Sequence, residues 1–233
     1  MSSPLRIAIV GATGLIGRTL IERSVGREDI RILAIARREM KLPVGAKMEM
    51  ILADPAAWEA VLAQAKPDVL VSALGTTWAK AGKDEAAFRA VDQELVMNTA
   101  RAAREHGVNR MIAVSSVGAD TASKNFYLRV KGEVERDLLK VGFDRLDILR
   151  PGLLRGAREN DRRVGERLGI ALSPLLDLAL HGKYRKYRSV SATLMADCIL
   201  ALAQRKPAGK FVHDGDGIAR AAHGLPQIMR DKE

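Results

Sequence analysis

The segment Leu5-Arg6-Ile7-Ala8-Ile9-Val10 runs directly into Gly11-Ala12-Thr13-Gly14-Leu15-Ile16-Gly17. Few folds accept an apolar strand that ends on glycines at relative positions one, four and seven and opens a helix behind them. Gly11 permits a tight turn, Gly14 lets a ligand approach the backbone, and Gly17 lets the helix pack hard against the strand. A helix starting there offers free N–H groups and a partial positive charge to phosphate oxygens. The surrounding strand and helix lift this glycine pattern above chance. Gly11, Thr13, Gly14, Leu15, Ile16 and Gly17 are therefore candidate contacts for a dinucleotide pyrophosphate. The alternative is an ordinary glycine-rich strand-to-helix turn.

The same alternation continues along the chain. Leu5–Val10, Ile32–Ala36, Met48–Leu52, Val69–Ala73, Met111–Ser115 and Leu146–Leu149 read as strands. They are nearly all-apolar, as strands covered on both faces are. Helical patterns fall between them at Leu15–Ser24, Pro55–Gln64, Asp84–His106 and Asn125–Val141, with Gly107 and Gly142 as stop signals. Strands alternating with helices imply right-handed crossovers and an α/β doubly wound parallel sheet, the Rossmann arrangement. After Arg150 the pattern loosens. Gly152 to Arg167 reads as a mobile loop. Helices are expected near Pro174–Leu180, Ala192–Gln204 and Gly217–Met229, with a short strand near Phe211–His213. This third is too short for a second large domain. The expectation is one domain over residues 1–233, in which residues 150–233 supply a small C-terminal cap and substrate-side loops.

The second strand ends Ala36-Arg37-Arg38. An acid at this place binds the ribose 2′-hydroxyl of NAD, whereas guanidiniums pair with the 2′-phosphate of NADP. Arg37 and Arg38 therefore point to NADP(H), with Arg18 adding charge nearby. Glu39 is the competing ribose acid if the strand runs further than expected. Asp54 ends the third strand. It is a candidate acceptor for the adenine amino group and equally a candidate N-cap for the helix that begins at Pro55. Ala73, Leu74 and Gly75 end the fourth strand with small side chains that leave room for the cofactor.

Ser116, Tyr127 and Lys131 carry the candidate chemistry. Tyr127 and Lys131 are four apart on a helix and share a face. An adjacent ammonium lowers a phenol's pKa from its reference of about 10 and suits it to exchange a proton with a carbonyl or alcohol. Ser116, at the C-terminal end of the fifth strand, is placed to hold the substrate oxygen. Glu135, one turn beyond Lys131, is a rival partner for that lysine, and Tyr127 can also be read as a packing aromatic.

Composition sets limits. Cys198 is alone, so no disulfide framework exists. With no signal peptide and no apolar run of about 18 residues, a cytoplasmic location is expected, without membrane attachment. His106, His181, His213 and His223 lack metal-ligand spacing, so no metal is expected. The formal charge is +10, yet most Lys and Arg lie among acids on helix faces. A nucleic-acid role is not expected, and the run Lys183–Arg188 reads as a solvated loop. The expected partner is a small-molecule carbonyl or alcohol.

The ordered set of glycines 11, 14 and 17, the small residues 73–75, Ser115-Ser116-Val117-Gly118-Ala119-Asp120, the block Tyr127 to Glu135, Phe143-Asp144-Arg145 and Leu149-Arg150-Pro151-Gly152 resembles an atypical short-chain dehydrogenase/reductase. The middle blocks look like the Tat-interacting-protein-like subgroup. The resemblance covers about residues 5 to 165. It implies NADP(H) binding, a Ser116–Tyr127–Lys131 site, and Pro151 and Gly152 beside the nicotinamide. In one respect the chain departs from the pattern. Relatives place an Asn on the helix after the fourth strand to complete a proton relay, whereas this chain has Val91-Asp92, with Asn98 almost two turns later, and neither is assigned. The subgroup includes regulatory members, so an NADPH sensor that binds a protein partner is the alternative. A sugar epimerase is a third reading.

Overall fold

A computed structural model describes residues 3–156, 185 and 187–226. Seven strands form one parallel sheet: β1 Leu5–Val10, β2 Ile30–Ala36, β3 Met48–Leu52, β4 Val69–Ser72, β5 Arg110–Val114, β6 Arg145–Leu149 and β9 Gly209–His213. Their order is β3-β2-β1-β4-β5-β6-β9. The chain thus moves outward from β1 in one direction, returns, and continues from β4 in the other. This is the doubly wound order, and it opens a crevice outside the carboxyl ends of β1 and β4.

The apolar strands account for the layers. Successive side chains of β1 point to opposite faces. Ile7 and Ile9 enter a core with α1 Leu15–Ser24, α6 Ala192–Ala203 and α7 Gly215–Ala222. Ala8 and Val10 enter the opposite core with α2 Trp58–Ala65, α4 Val96–Glu105 and α5 Phe126–Leu138. Asp54 caps the 3₁₀ turn Pro55–Ala57, its carboxylate accepting the Ala56 N–H at 3.1 Å. Asn125 caps α5 by accepting from Leu128 N–H at 3.2 Å, which fixes where the helix carrying Tyr127 begins.

Three features differ from the sequence reading. The helix expected over Asp84–His106 is α3 Glu85–Arg89 and α4, joined by a π-helical stretch, Ala90–Leu95. Hydrophobic spacing does not register one widened turn, and such turns are frequent at functional sites. Strand β6 is fully buried although it holds two charges. Arg145 donates to both oxygens of Asp147, at 2.6 and 2.9 Å, and the His213 ring nitrogen lies 2.8 Å from the same carboxylate. Lastly, the closing helix ends at Ala222, before the expected Met229, which lies outside the described residues.

The C-terminal third contributes directly to the main body. Strand β9 extends the sheet, and α6 and α7 complete the layer begun by α1. A two-stranded ribbon, β7 Leu154–Arg155 with β8 Val190–Ser191, brackets the segment in which a mobile loop and the Pro174–Leu180 helix were expected. At its start the expected loop is instead ordered as β7, because Leu154 and Arg155 pair with β8, whereas the rest of that loop and the Pro174–Leu180 helix fall outside the described residues.

Cys198 is buried on α6. Desolvation, with a contribution from nearby Asp147, pushes its thiol up to about 12. The thiol stays protonated and unreactive at ordinary pH. Native protein at pH 8 is expected to resist an aromatic disulfide reagent over a period in which denatured protein reacts with one equivalent. Rapid labelling of the native chain would show that α6 opens readily.

Candidate dinucleotide and catalytic site

The glycine turn has the geometry its sequence calls for. Gly11 sits at φ +85°, and a Cβ there would stand 2.4 Å from the carbonyl oxygen of Ala73. A Cβ on Gly17 would stand 2.4 Å from the Gly11 carbonyl oxygen and 2.6 Å from the Ala12 Cα. Any larger residue at either place separates β1 from β4 or α1 from the turn. Gly14 is the N-cap of α1, with no side chain over the first N–H groups, and its own N–H donates to the Gly11 carbonyl at 3.0 Å. Thr13 and Leu15 are half-buried at the turn, whereas the Ile16 side chain is core, so only its backbone is available to a ligand.

The rim around this turn is built from adjacent strand ends. Strand β2 stops at Ala36, as the sequence suggested, so Arg37 and Arg38 follow immediately and Glu39 lies further out. Both arginines are exposed. The Ala53 N–H donates to the Ala36 carbonyl at 3.0 Å, which places Asp54 beside the same rim. On the other side, the Ala73 N–H donates to the Val10 carbonyl at 2.9 Å and brings Ala73, Leu74 and Gly75 to the turn.

The catalytic candidates line the C-terminal ends of β5 and β6. The Ser115 N–H donates to the Leu149 carbonyl at 2.8 Å and the Val117 N–H to the Pro151 carbonyl at 2.9 Å. Ser116 is thereby clamped between them, next to Pro151. Gly152 passes so close to the chain near Arg188 that a Cβ would stand 2.4 Å from that residue's carbonyl oxygen. On α5 the half-buried Tyr127 ring packs edge-on against Phe88 at 5.7 Å, and the Lys131 Nζ lies 6.0 Å from the Tyr127 ring centre.

Lys131 does not pair with Glu135. Its Nζ lies 2.7 Å from Asp92 Oδ1, and the two side chains are 7% and 0% exposed. Asp92 Oδ2 accepts the Thr76 N–H at 2.7 Å. Glu135 instead receives the Arg150 Nε–H at 3.0 Å, a second N–H from the same guanidinium, and the hydroxyl of Ser115. These hydrogen bonds to Glu135 push the Arg150 guanidinium further above its ordinary value, so it stays charged. A bidentate guanidinium is a stronger partner for a carboxylate than an ammonium one turn away. Asp92 is the site residue that sequence reasoning left unassigned. Its signal in the sequence was its place, in the stretch where the resembling family carries a relay Asn. Among the described residues, no cluster of His, Cys, Asp or Glu stands together in a way that could hold a metal ion.

A glycine turn at the switch point of a doubly wound sheet, with a Tyr–Lys helix alongside, defines an NAD(P)-binding protein of the Rossmann type. The family model described as NAD(P)H-binding matches residues 11–205, and the chain belongs to that family. It is 36% identical over 163 residues to the protein fmp52, mitochondrial, of Aspergillus niger, covering 67% of this chain and 69% of that one. It is 36% identical over 160 residues to the protein FMP52, mitochondrial, of Saccharomyces cerevisiae, with coverage of 67% and 69%. Among solved structures it resembles a putative NAD-dependent epimerase/dehydratase from Bacillus halodurans, with TM-score 0.64, 22% identity and coverage of 95% and 100%. It also resembles the Bordetella bronchiseptica enzyme WbmG in complex with NAD, with TM-score 0.65, 20% identity and coverage of 91% and 73%. These two likenesses are of fold.

The relatives correct one expectation. They are named mitochondrial proteins, so the cytoplasmic location expected from the sequence does not stand. A single cysteine excludes a disulfide framework in any compartment and does not choose between compartments. No helix among the described residues is long and apolar enough to cross a membrane.

Proposed function

We propose that the chain is an NADP(H)-dependent oxidoreductase of the atypical short-chain dehydrogenase/reductase type, acting on a small carbonyl or alcohol. The observation that carries this reading is the Lys131 ammonium held beside the Tyr127 ring and paired with Asp92, which accepts the Thr76 N–H beyond the end of β4. The residues present fit a dinucleotide, because the lack of side chains at Gly11 and Gly17 lets β1, β4 and α1 close together around the turn, and Gly14 gives the start of α1 no side-chain cap. The backbone N–H groups at the start of α1 would hold the phosphates. The nicotinamide, when bound, supplies or takes up the hydride. Ser116 would orient the substrate oxygen by a hydrogen bond. Tyr127 would give that oxygen a proton during reduction and take one during oxidation, and Lys131 would favour its phenolate form.

Arg37 and Arg38 support NADP(H) over NAD(H). They follow β2 directly, and among the described residues no salt bridge engages either of them. A loss equivalent to one charged hydrogen bond, about 1.5–3 kcal/mol at this exposed rim, is expected to weaken NADPH binding by about 10–150-fold in the variant Arg37→Ser/Arg38→Ser. NADH binding should stay within about twofold, since NADH carries no 2′-phosphate to be read at this place. Fluorescence titration with both reduced cofactors checks this. Equal weakening of the two would remove the arginines from the 2′-phosphate role.

A further inference from the structure

The Asp92–Lys131 pair is buried at an electrostatic cost. Taking a carboxylate and an ammonium out of water costs several kcal/mol per ion, and a pair of apolar residues would fill the same volume without that cost. The geometry shows what the pair connects. Asp92 lies in the π-helical stretch Ala90–Leu95 and is its buried residue. One of its oxygens faces Lys131 Nζ at 2.7 Å, although no donor is aligned on that oxygen as a hydrogen bond. The other accepts the backbone N–H of Thr76, which directly follows Ala73–Gly75 at the glycine turn. Gly75 is close to it, since a Cβ there would lie 3.6 Å from Asp92 Oδ1. Glu94, the other charged residue of this stretch, is exposed, and the charged groups on the neighbouring helical segments are engaged elsewhere. Arg89 donates to Gln93 and to Glu133, and Glu135 is taken by Arg150 and Ser115. From its own helix, Lys131 faces the Tyr127 ring. Among the described residues, Asp92 is the carboxylate paired with Lys131.

We infer that Asp92 is a positioning residue that keeps Lys131 an ammonium at a fixed place beside Tyr127 and ties it, through Thr76, to the backbone of the cofactor turn. This rests on the Tyr127–Lys131 reading of the site. A buried lysine without a counter-ion tends to lose its proton, while a carboxylate at ion-pair distance holds the proton in place. The same negative charge partly offsets the ammonium as Tyr127 sees it. Removing it therefore makes the Tyr127–Lys131 unit more acidic, whichever of the two gives up its proton first.

The chain has three tyrosines, so ring-carbon NMR of 13C-tyrosine protein is tractable without any substrate. The Tyr127 signal is identified by its loss in Tyr127→Phe. It responds to the phenol's own ionisation and to a charge change at Lys131. Asp92→Asn keeps an oxygen that can accept the Thr76 N–H and removes the charge. Its first Tyr127 titration is expected to fall by about one pH unit or more relative to wild type. A titration unchanged from wild type in folded Asp92→Asn overturns the inference, because a merely structural role would leave it unmoved. If Asp92→Asn does not fold, Asp92→Ser, which retains an oxygen acceptor and adds no volume, carries the same expectation. Lys131→Met separates the two readings. It should raise the Tyr127 titration by removing the ammonium. No response to Lys131→Met sinks the Tyr–Lys reading itself, whereas a response there with none to Asp92→Asn sinks only the part assigned to Asp92.

Discussion

Tyr127→Phe is expected to lower carbonyl reduction by about 10²–10⁴-fold, the usual contribution of a positioned proton donor. The substitution removes one oxygen and leaves the ring that packs edge-on against Phe88 at 5.7 Å. The cradle at Gly11 to Gly17 lies on another element, so cofactor affinity should stay within about twofold and the loss should appear in kcat. The two measurements are single-turnover reduction with a panel of small aldehydes and ketones, and NADPH titration of the same variant. Unchanged turnover in Tyr127→Phe would remove the residue from the chemistry. A wild-type chain that binds NADPH tightly and reduces nothing in the panel would favour the sensor reading, in which occupancy of the turn is itself the signal.

Gly17→Ala should produce the largest change in cofactor binding from the smallest change in the chain. The added methyl would stand 2.4 Å from the Gly11 carbonyl oxygen and 2.6 Å from the Ala12 Cα, and neither is the end of a flexible side chain. Either α1 moves away from β1 or the turn opens. Overpacking of this kind costs about 1–3 kcal/mol, with about 2–4 °C of Tm for each kcal/mol in a chain of this size. The displaced N–H groups are those that would meet the pyrophosphate, so NADPH affinity is expected to fall by about tenfold or more, beyond the loss in stability. Calorimetric titration and thermal unfolding of the variant read both effects. A Gly17→Ala chain with native affinity would show that the dinucleotide does not depend on this close approach.

The two variants probe different parts of one arrangement. Gly17 tests the proposed holding of a ligand, and Tyr127 tests the proposed chemistry on a second molecule beside it. Between them lie Ala73–Gly75, Thr76, Asp92 and Lys131, joined by the Thr76–Asp92 hydrogen bond and the Asp92–Lys131 ion pair. The strand end is thus joined to the lysine beside Tyr127 by one hydrogen bond and one ion pair.

The local elements were legible because each is dictated by nearby residues. Strand β1, helix α1 and strand β3 have the bounds their apolar runs suggested, and β2 ends at Ala36, so Arg37 and Arg38 fall at its tip. Gly11 and Gly17 occupy places where a side chain has no room, which is why their spacing could be read directly. The Tyr127–Lys131 spacing became one helix face because Asn125 caps α5 just ahead of it. The partners of the charged groups were not legible. Lys131 chose Asp92, far away in sequence, over Glu135 one turn away, and Glu135 chose Arg150 and Ser115. Asp147, on a strand that reads as apolar, holds Arg145 and His213. Periodicity is set by backbone geometry and hydrophobic burial, both local to a segment. A buried charge is satisfied by whatever the packed elements bring to it, and that depends on one widened helical turn and on the order of seven strands.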